Sequence, residues 1–147
     1  MKSLLIVAAS VGLVGCDALP RDPDHTLERV RSERLFRVGI IADGDGAIDG
    51  QGAAFIARVS QATGAKAAVR QGASEPLLLD LKAGKLDLVL GQVSPDSPWA
   101  PEVAILAPLS EATAPHHLIL SPIARNGENR WIMLLEAADD AVSAHAA

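Results

Sequence analysis

"LKAGKLDLVLGQV", residues 81–93, joins the end of a helix to a strand that is apolar almost throughout. Gly84 ends the helix, because glycine adopts the left-handed backbone that closes a helix. Lys85 and Asp87 then lie on a tight connection. The near-continuous apolar run over residues 86–93 predicts a strand that is buried on both faces, as in a sheet covered by helices. In such a domain, ligands bind beyond the carboxyl ends of the strands.

Strands and helices alternate on both sides of this run. Apolar runs predict further strands, and the segments between them predict helices, two of which end in glycine, at Gly64 and Gly84. Thr26 and Ser74 are the predicted N-caps of two of the helices. The order β-α-β-α-β, then β-β-α, predicts an α/β fold with a mainly parallel sheet and helices on both faces. The other predicted strands cover residues 35–42, 65–72, 102–109 and 116–123, and the helices cover 26–34, 53–64, 75–84 and 126–147.

Length and composition limit the class of protein. The chain has 147 residues, 49% of them hydrophobic, which suits one small domain. Its formal net charge is −5 and it has no cluster of lysine or arginine, so nucleic acid is not expected as a partner. The single cysteine, Cys16, excludes an internal disulfide and a multi-cysteine metal site.

The amino-terminal residues have the pattern of a secretory signal. Lys2 precedes an apolar run over residues 3–14 that is too short to span a bilayer comfortably. Its ending, Leu13-Val14-Gly15-Cys16, resembles a bacterial lipobox. That resemblance implies cleavage before Cys16 and acylation of its thiol and of the new amino terminus. An ordinary signal peptide with an accidental cysteine, or a short membrane helix, is the alternative.

From this pattern we expect residues 1–15 to be a signal peptide and residues 16–25 a lipid-anchored linker. The protein is then expected on the periplasmic side of a bacterial membrane, held by lipidated Cys16. Asp17 favours the inner membrane only in some bacteria, so the choice between inner and outer membrane stays open.

Three stretches together resemble a known family. "TLERVRSERLFRVGI", "GAAFIARVSQATGAK" and "LLLDLKAGKLDLVLGQVSPDSPWAPEVAILAPLS" are similar to the first lobe of the periplasmic solute-binding proteins of bacterial ABC importers, family 3. "HHLILSPIARNGENRWIMLLEA" resembles the returning strand and closing helix of that lobe. The resemblance implies one lobe of a type II periplasmic binding protein over residues 26–147, with the second lobe absent.

The same resemblance implies the substrate-binding component of an ABC importer, with a permease or a sensor protein as partner. A single lobe offers half a cleft and cannot close, so we expect weak binding of a small polar solute. Ser97 stands where the family's "T-x-x-R" turn has its carboxylate-binding arginine, and the family's "GF(D/E)" acid has no match. The candidate ligand-binding residues are polar groups and one tryptophan that follow two strands: Asp43, Asp45, Gln92, Ser94, Ser97 and Trp99.

Because this set carries carboxylates and no fixed positive charge, we expect it to accept a neutral or cationic solute. The alternative is a non-transport interaction or scaffold lipoprotein that has lost solute binding.

Catalytic and metal-binding motifs are missing from the sequence. It has no G-x-S-x-G, H-E-x-x-H or phosphate-binding loop, so we expect no enzyme activity, no catalytic residue and no cofactor. An EF-hand reading of "DGDGAIDG" (residues 43–50) fails, because Ala47 and Ala54 stand at ligand positions. His116 and His117 are neighbours in a predicted strand and point to opposite faces, so no metal site is expected there.

Overall fold

The computed structural model describes residues 22–42, 50–92, 96–109 and 120–146, with the backbone alone from 141 onward. Cys16 and the other residues before Asp22, where the signal peptide and most of the linker are predicted, lie outside this range, as do His116 and His117. The elements in chain order are α1 (Thr26–Glu33), β1 (Leu35–Ile41), α2 (Gly50–Thr63), β2 (Lys66–Gly72), α3 (Ser74–Lys82), β3 (Leu88–Gly91), β4 (Val103–Ile105), β5 (Ser121–Arg125) and α4 (Asn129–Ala146).

The described strands form one five-stranded sheet in the order β2-β1-β3-β5-β4. β1 is parallel to both of its neighbours, β2 and β3. β5 is antiparallel to β3 and to β4. Every strand except β5 therefore points the same way, which confirms the predicted α/β class with its mainly parallel sheet.

Helices cover both faces of the sheet. On one face, Phe36, Val38 and Ile40 of β1 join a cluster with buried residues of α1, α2 and α4. On the other face, Ile41 belongs to a cluster built on α3. Side chains alternate between the two clusters, as the two-residue period of a strand requires.

β3 is buried along its whole length, as its apolar run predicts. Leu88 and Leu90 lie in the cluster with α2 and α4, whereas Val89 lies in the cluster with α3. The strand itself is shorter than the predicted residues 86–93. It starts only after Asp87, whose side chain and backbone are taken up by contacts with other elements.

Several predicted bounds are corrected by the structure. α2 begins at Gly50, earlier than the predicted residue 53, and β4 covers only the first part of the predicted run over residues 102–109, from Val103 to Ile105. β5 begins and ends later than the predicted 116–123.

The two predicted N-caps are wrong. His25 and Ala73 occupy the cap positions of α1 and α3, and neither makes a side-chain cap bond. Thr26 and Ser74 are instead the first residues of their helices. At α1 the physical reason is that a carboxylate from a distant part of the chain supplies the cap.

That distant cap is Glu128, whose side chain is fully buried. Its two carboxylate oxygens accept hydrogen bonds from the backbone N–H groups of Asp24 and Thr26, both at 2.8 Å. In return, Asp22 Oδ1 accepts a hydrogen bond from the N–H of Arg130, in the first turn of α4, at 2.7 Å. Each of the two helix starts is thus capped by a carboxylate from the segment that leads into the other helix.

Asp87 joins four elements at a single point. Its carboxylate is almost fully buried, forms an ion pair with Arg29 of α1, and accepts a hydrogen bond from the backbone N–H of Arg37 in β1 at 2.8 Å. Its own N–H donates to the Arg37 carbonyl at 2.9 Å, and its carbonyl accepts from the indole N–H of Trp131 at 2.7 Å. Trp131 in turn packs edge-on against Phe36.

We predict that Asp87→Ala lowers the free energy of unfolding by about 2–3 kcal/mol, because it leaves Arg29 and the Arg37 N–H without their acceptor. The loss stays below that of a fully buried pair, since Arg29 is 26% exposed. Asp87→Asn keeps an acceptor oxygen and should lose less. Urea denaturation measures both, with Glu75→Ala, a change at an exposed acid, as the control. Equal stability of Asp87→Ala and wild type would contradict this role for Asp87.

The buried carboxylate of Glu128 makes the free energy of unfolding depend on pH in the acid range. Burial alone raises the pKa of Glu128, but hydrogen bonds from Thr26 and Asp24 and the charge of Arg125 outweigh burial and hold the pKa below its ordinary value of 4.5. The carboxylate form therefore stabilises the fold above pH 4.5, and this contribution is lost as the pH falls through the lowered pKa. Glu128→Gln should be less stable at pH 7 and lose less stability on acidification than wild type. Glu75→Gln should keep the wild-type profile, and parallel profiles for wild type and Glu128→Gln would refute the prediction.

Candidate functional site

The carboxyl ends of β1 and β3 lie side by side. Ile40 is in register with Leu90, so Ile41 and Ala42 come next to Gly91 and Gln92. Gly91 is also in register with Ser121, the first residue of β5. We call this end of the sheet, with Ile41, Ala42, Gly91, Gln92 and Ser121, the carboxyl edge.

The strand order reverses at this place. The connection through α2 leads from β1 to β2 on one side, and the connection through α3 then crosses back to β3 on the other side. A reversal between adjacent parallel strands separates the two following loops and leaves a crevice where ligands bind in open α/β sheets.

Gly91 allows the two strand ends to pack closely. A Cβ atom on Gly91 would lie 2.4 Å from Cδ1 of Ile41 and 2.8 Å from its Cβ. Ile41 therefore fills the space that any side chain at position 91 would need. The floor of the carboxyl edge is apolar on the α3 face, and the first side chain beyond it is that of Gln92, which is exposed.

The other predicted site residues have different positions. Asp43, Asp45 and Ser94 lie outside the described residues. Ser97 is partly buried, and its Oγ accepts a hydrogen bond from the N–H of Trp99 at 3.3 Å, so the hydroxyl serves its own turn. Whether any of these residues contacts a ligand stays a prediction.

Trp99 is not beside Gln92. Its carbonyl accepts a hydrogen bond from the N–H of Val103 at 3.1 Å, and Val103 is in register with Arg125 at the opposite end of the sheet. The Trp99 side chain packs against the cluster built on α3. Its backbone therefore lies at the end where β3 begins, and its ring is partly buried by the core.

An acidic pocket opens at the same end of the sheet as the carboxyl edge, between α4, the end of β4 and the start of β5. It has a volume of about 260 Å³, and it is lined by Leu106, Ala107, Pro122, Glu136, Asp139 and Asp140. Leu106 follows β4, and Pro122 is in register with Leu90, which places the pocket beside the end of β3. Three of the six lining residues are acids, and none of the six is basic.

Asp139 is the acid least exposed to water in this pocket. Burial raises its pKa, and the neighbouring charge of Asp140 raises it further. Its Oδ1 atom is buried without a hydrogen-bond partner. The sequence analysis did not find these acids, because "EAADD" (136–140) has the pattern of the solvent-facing side of a helix. Only the pairing of β5 with β3 shows that these residues line a pocket.

Neither a metal-binding cluster nor a membrane-spanning helix occurs in the described ranges. No group of three or more histidine, cysteine or acidic side chains there could hold a metal ion. No helix in that part of the chain is both long enough and apolar enough to cross a bilayer.

Comparison with solved structures identifies the fold. A mutant of domain 1 from TmArgBP in its arginine-bound form has a TM-score of 0.68 at 14% identity, and the match covers 80% of this chain and 98% of that one. The arginine-bound domain without the mutation has a TM-score of 0.64 at 15% identity, covering 76% and 96%. An ancestral cationic amino acid solute-binding protein has a TM-score of 0.49 at 19% identity, covering 58% and 41%. No protein-family model and no curated protein match the sequence.

The two likenesses to domain 1 from TmArgBP show the fold and confirm that part of the resemblance seen in the sequence. The chain has the fold of a single lobe of a periplasmic binding protein. Its match spans almost the whole of an isolated domain, so one lobe accounts for the described elements.

We predict that Gly91→Ala destabilises the protein by about 1–3 kcal/mol, because the new methyl group overlaps Ile41. Gly91→Ala should lower the stability less when it is added to the Ile41→Ala variant than when it is added to the wild type, because the shorter side chain at position 41 leaves room for the new methyl group. Gly50→Ala is the matched control, since a Cβ there meets nothing within 4 Å. Thermal denaturation measures all four variants, and a Gly91→Ala protein as stable as wild type would show that the two strand ends are not closely packed.

Proposed function

We propose that this chain is a solute-binding lobe that takes a small, polar, cationic solute at the carboxyl edge. The observation that carries the proposal is the acidic pocket between α4, the end of β4 and the start of β5, which lies at the same end of the sheet as the reversal between β1 and β3. The fold supports it, because the similar domain 1 from TmArgBP is described in an arginine-bound form. A guanidinium or ammonium group is the chemistry that such a pocket favours.

Charge decides between classes of solute. Glu136, Asp139 and Asp140 all contribute negative charge to the pocket. A cation about 4 Å from one carboxylate gains up to about 4 kcal/mol near a protein surface, and an anion pays a similar cost. Ser97 stands where the family that the sequence resembles has its carboxylate-binding arginine, and the described residues that line the pocket include no basic side chain to offset that cost.

Affinity is set by how much of the solute is covered. One lobe contacts only one side of a ligand, and the hydrogen bonds on the other side stay with water. We therefore propose weak binding, with a Kd near 1 mM, which corresponds to about 4 kcal/mol. A permease or sensor that covers the exposed side would tighten the complex.

We predict that titration calorimetry with the chain from residue 16 onward detects binding of L-arginine or L-lysine and none of L-glutamate. Asp140→Asn should weaken arginine binding several-fold, because it removes one charge from the pocket at an exposed position. Glu75→Gln, an equal charge change on α3, should leave the affinity unchanged. Glutamate binding tighter than arginine binding would overturn the proposal. Binding of no solute, together with capture of a protein partner, would favour an interaction or scaffold lipoprotein.

We also propose that Cys16 anchors the protein to a bacterial membrane on its periplasmic side. The lipobox-like ending of the apolar run and the position of the single cysteine support this. Stable anchoring needs more than one acyl chain, which acylation of both the thiol and the new amino terminus supplies. The role proposed for the anchored lobe is that of an ABC importer's substrate-binding component.

We predict that Cys16→Ser moves the protein from the membrane fraction to the soluble fraction or leaves it unprocessed. The reason is that serine has no thiol to carry the lipid. Fractionation and intact-mass measurement check this, with Ser10→Ala in the apolar run as a matched control that should stay anchored. A Cys16→Ser protein that is membrane-bound and cleaved to the same length would refute the anchor.

A further inference from the structure

Strand β2 has a neighbouring strand on one side only. In the sheet order β2-β1-β3-β5-β4, the described strands at the two sides of the sheet are β2 and β4. β4 has three residues, and such shortness by itself limits pairing with another chain. β2 has seven residues, is in continuous register with β1 and contains no proline. Apart from its two cations, β2 therefore has none of the features that usually stop a further strand from adding to a sheet.

The peptide groups of β2 point alternately toward β1 and away from it. The N–H of Lys66 donates to the residue before β1 at 3.0 Å, and the carbonyl of Gly72 accepts from the residue after β1 at 3.0 Å. Because the direction alternates along a strand, the peptide groups of Ala67 and Val69 point away from β1. The side chain of Val69 is 47% exposed. The outer side of β2 thus presents hydrogen-bonding groups and an apolar side chain at the same place.

The charges of β2 allow one register with a second copy of the chain. Two β2 strands related by a twofold axis perpendicular to the sheet run antiparallel. Three registers pair the outward peptide groups of at least five residues, and they are centred on Ala68, Val69 or Arg70. The first sets Lys66 against Arg70 and the last sets two arginines against each other, and like charges that face each other directly destabilise a pair of strands. In the register centred on Val69, Lys66 faces Gly72. Arg70 faces Ala68 in that register, so no two cations face each other.

We propose that two copies of this chain pair through antiparallel β2 strands centred on Val69, which joins their two sheets into one. The two Val69 side chains then cover each other on the α2 face, because Val69 shares that face with Ala67, which packs against the α2 cluster. Arg70 stays on the opposite face, paired with Asp80 of α3. The paired strands are about 23 Å long, which makes a small interface and a reversible dimer.

This dimer leaves both proposed solute sites uncovered by the second copy. We call the end of the sheet opposite the carboxyl edge, with Arg37, Asp87, Val103 and Arg125, the amino edge. Because the two β2 strands run in opposite directions, the carboxyl edge of each copy lies at the same end as the amino edge of the other. A protein that covers the exposed side of a bound solute is therefore a different protein from the dimer partner.

Disulfide cross-linking tests the pairing and its register. Val69→Cys places the two new thiols across the twofold axis, within the Cα separation of up to about 7 Å that a disulfide bridges. Ala67→Cys and Ala68→Cys are matched controls on the same strand, because the proposed register separates each from its own copy by more than that distance. Each variant is made in the full chain, extracted from a bacterial host in mild detergent and treated with a mild oxidant. The wild type, with Cys16 alone, gives the background.

The expected yield of disulfide-linked dimer is at least about fivefold higher for Val69→Cys than for either control. Sedimentation at rising protein concentration should show a monomer–dimer equilibrium for the wild type. Val69→Lys should lower the dimer fraction at least about twofold, because it sets two cations against each other. Met133→Lys, the same charge change at a 66% exposed position on α4, should leave the fraction unchanged.

Four results would overturn the proposal. The first is equal cross-linking at the three positions, or the highest yield at Ala68→Cys, which belongs to another register. The second is a cross-link from Val69→Cys to a different protein, which would assign the edge to that partner. The third is a wild type that sediments as a monomer at every concentration, and the fourth is a Val69→Lys chain that associates as the wild type does.

Discussion

The buried carboxylate of Asp87 is the contact on which the arrangement of the other elements depends. Through its side chain it holds Arg29 of α1 and the backbone of β1, and through its carbonyl it holds Trp131 of α4. A buried charge is costly unless it is paired and hydrogen-bonded, and here each carboxylate oxygen has a partner. The point where β3 begins is thereby fixed against three other elements.

Fixing the start of β3 also fixes where it ends. From Asp87 the strand runs through four fully buried residues to Gly91, which packs under Ile41. The sheet thus has two chemically different ends. Ion pairs and caps gather at the amino edge and hold the fold together, whereas the carboxyl edge has an apolar floor, an exposed glutamine and an acidic pocket. Among the described residues, the proposed solute site is therefore separate from the contacts that stabilise the domain.

Sequence reasoning finds those parts of the fold that depend on local chemistry. Gly64 and Gly84 adopt positive φ angles of 70° and 71° after α2 and α3, as expected of glycines that end helices. The apolar run of β3 predicts burial on both faces, because residues 88–91 include no polar side chain that would mark a face toward solvent. These signals place four helices and five strands in the right order, although the strand ends shift by several residues.

What the sequence hides is contact between distant residues. Thr26 looks like an N-cap because its hydroxyl is nearby, but Glu128 supplies the acceptor from 102 positions along the chain. The acidic pocket also depends on contacts between distant residues. Pro122 and Asp139 come together only because β5 pairs with β3 and α4 packs on the sheet. The candidate residues around Ser97 follow from a family motif, and the structure shows that the Ser97 hydroxyl already serves its own turn.

A solution NMR titration tests most directly whether the carboxyl edge is the solute site. In amide correlation spectra recorded as L-arginine is added, we expect the signals of Gly91, Gln92, Ser121 and Leu106 to shift together with one binding constant. The signals of Arg37 and Asp87, at the amino edge, should stay in place. Shifts confined to the amino edge, or no amide shift at any arginine concentration, would contradict the account.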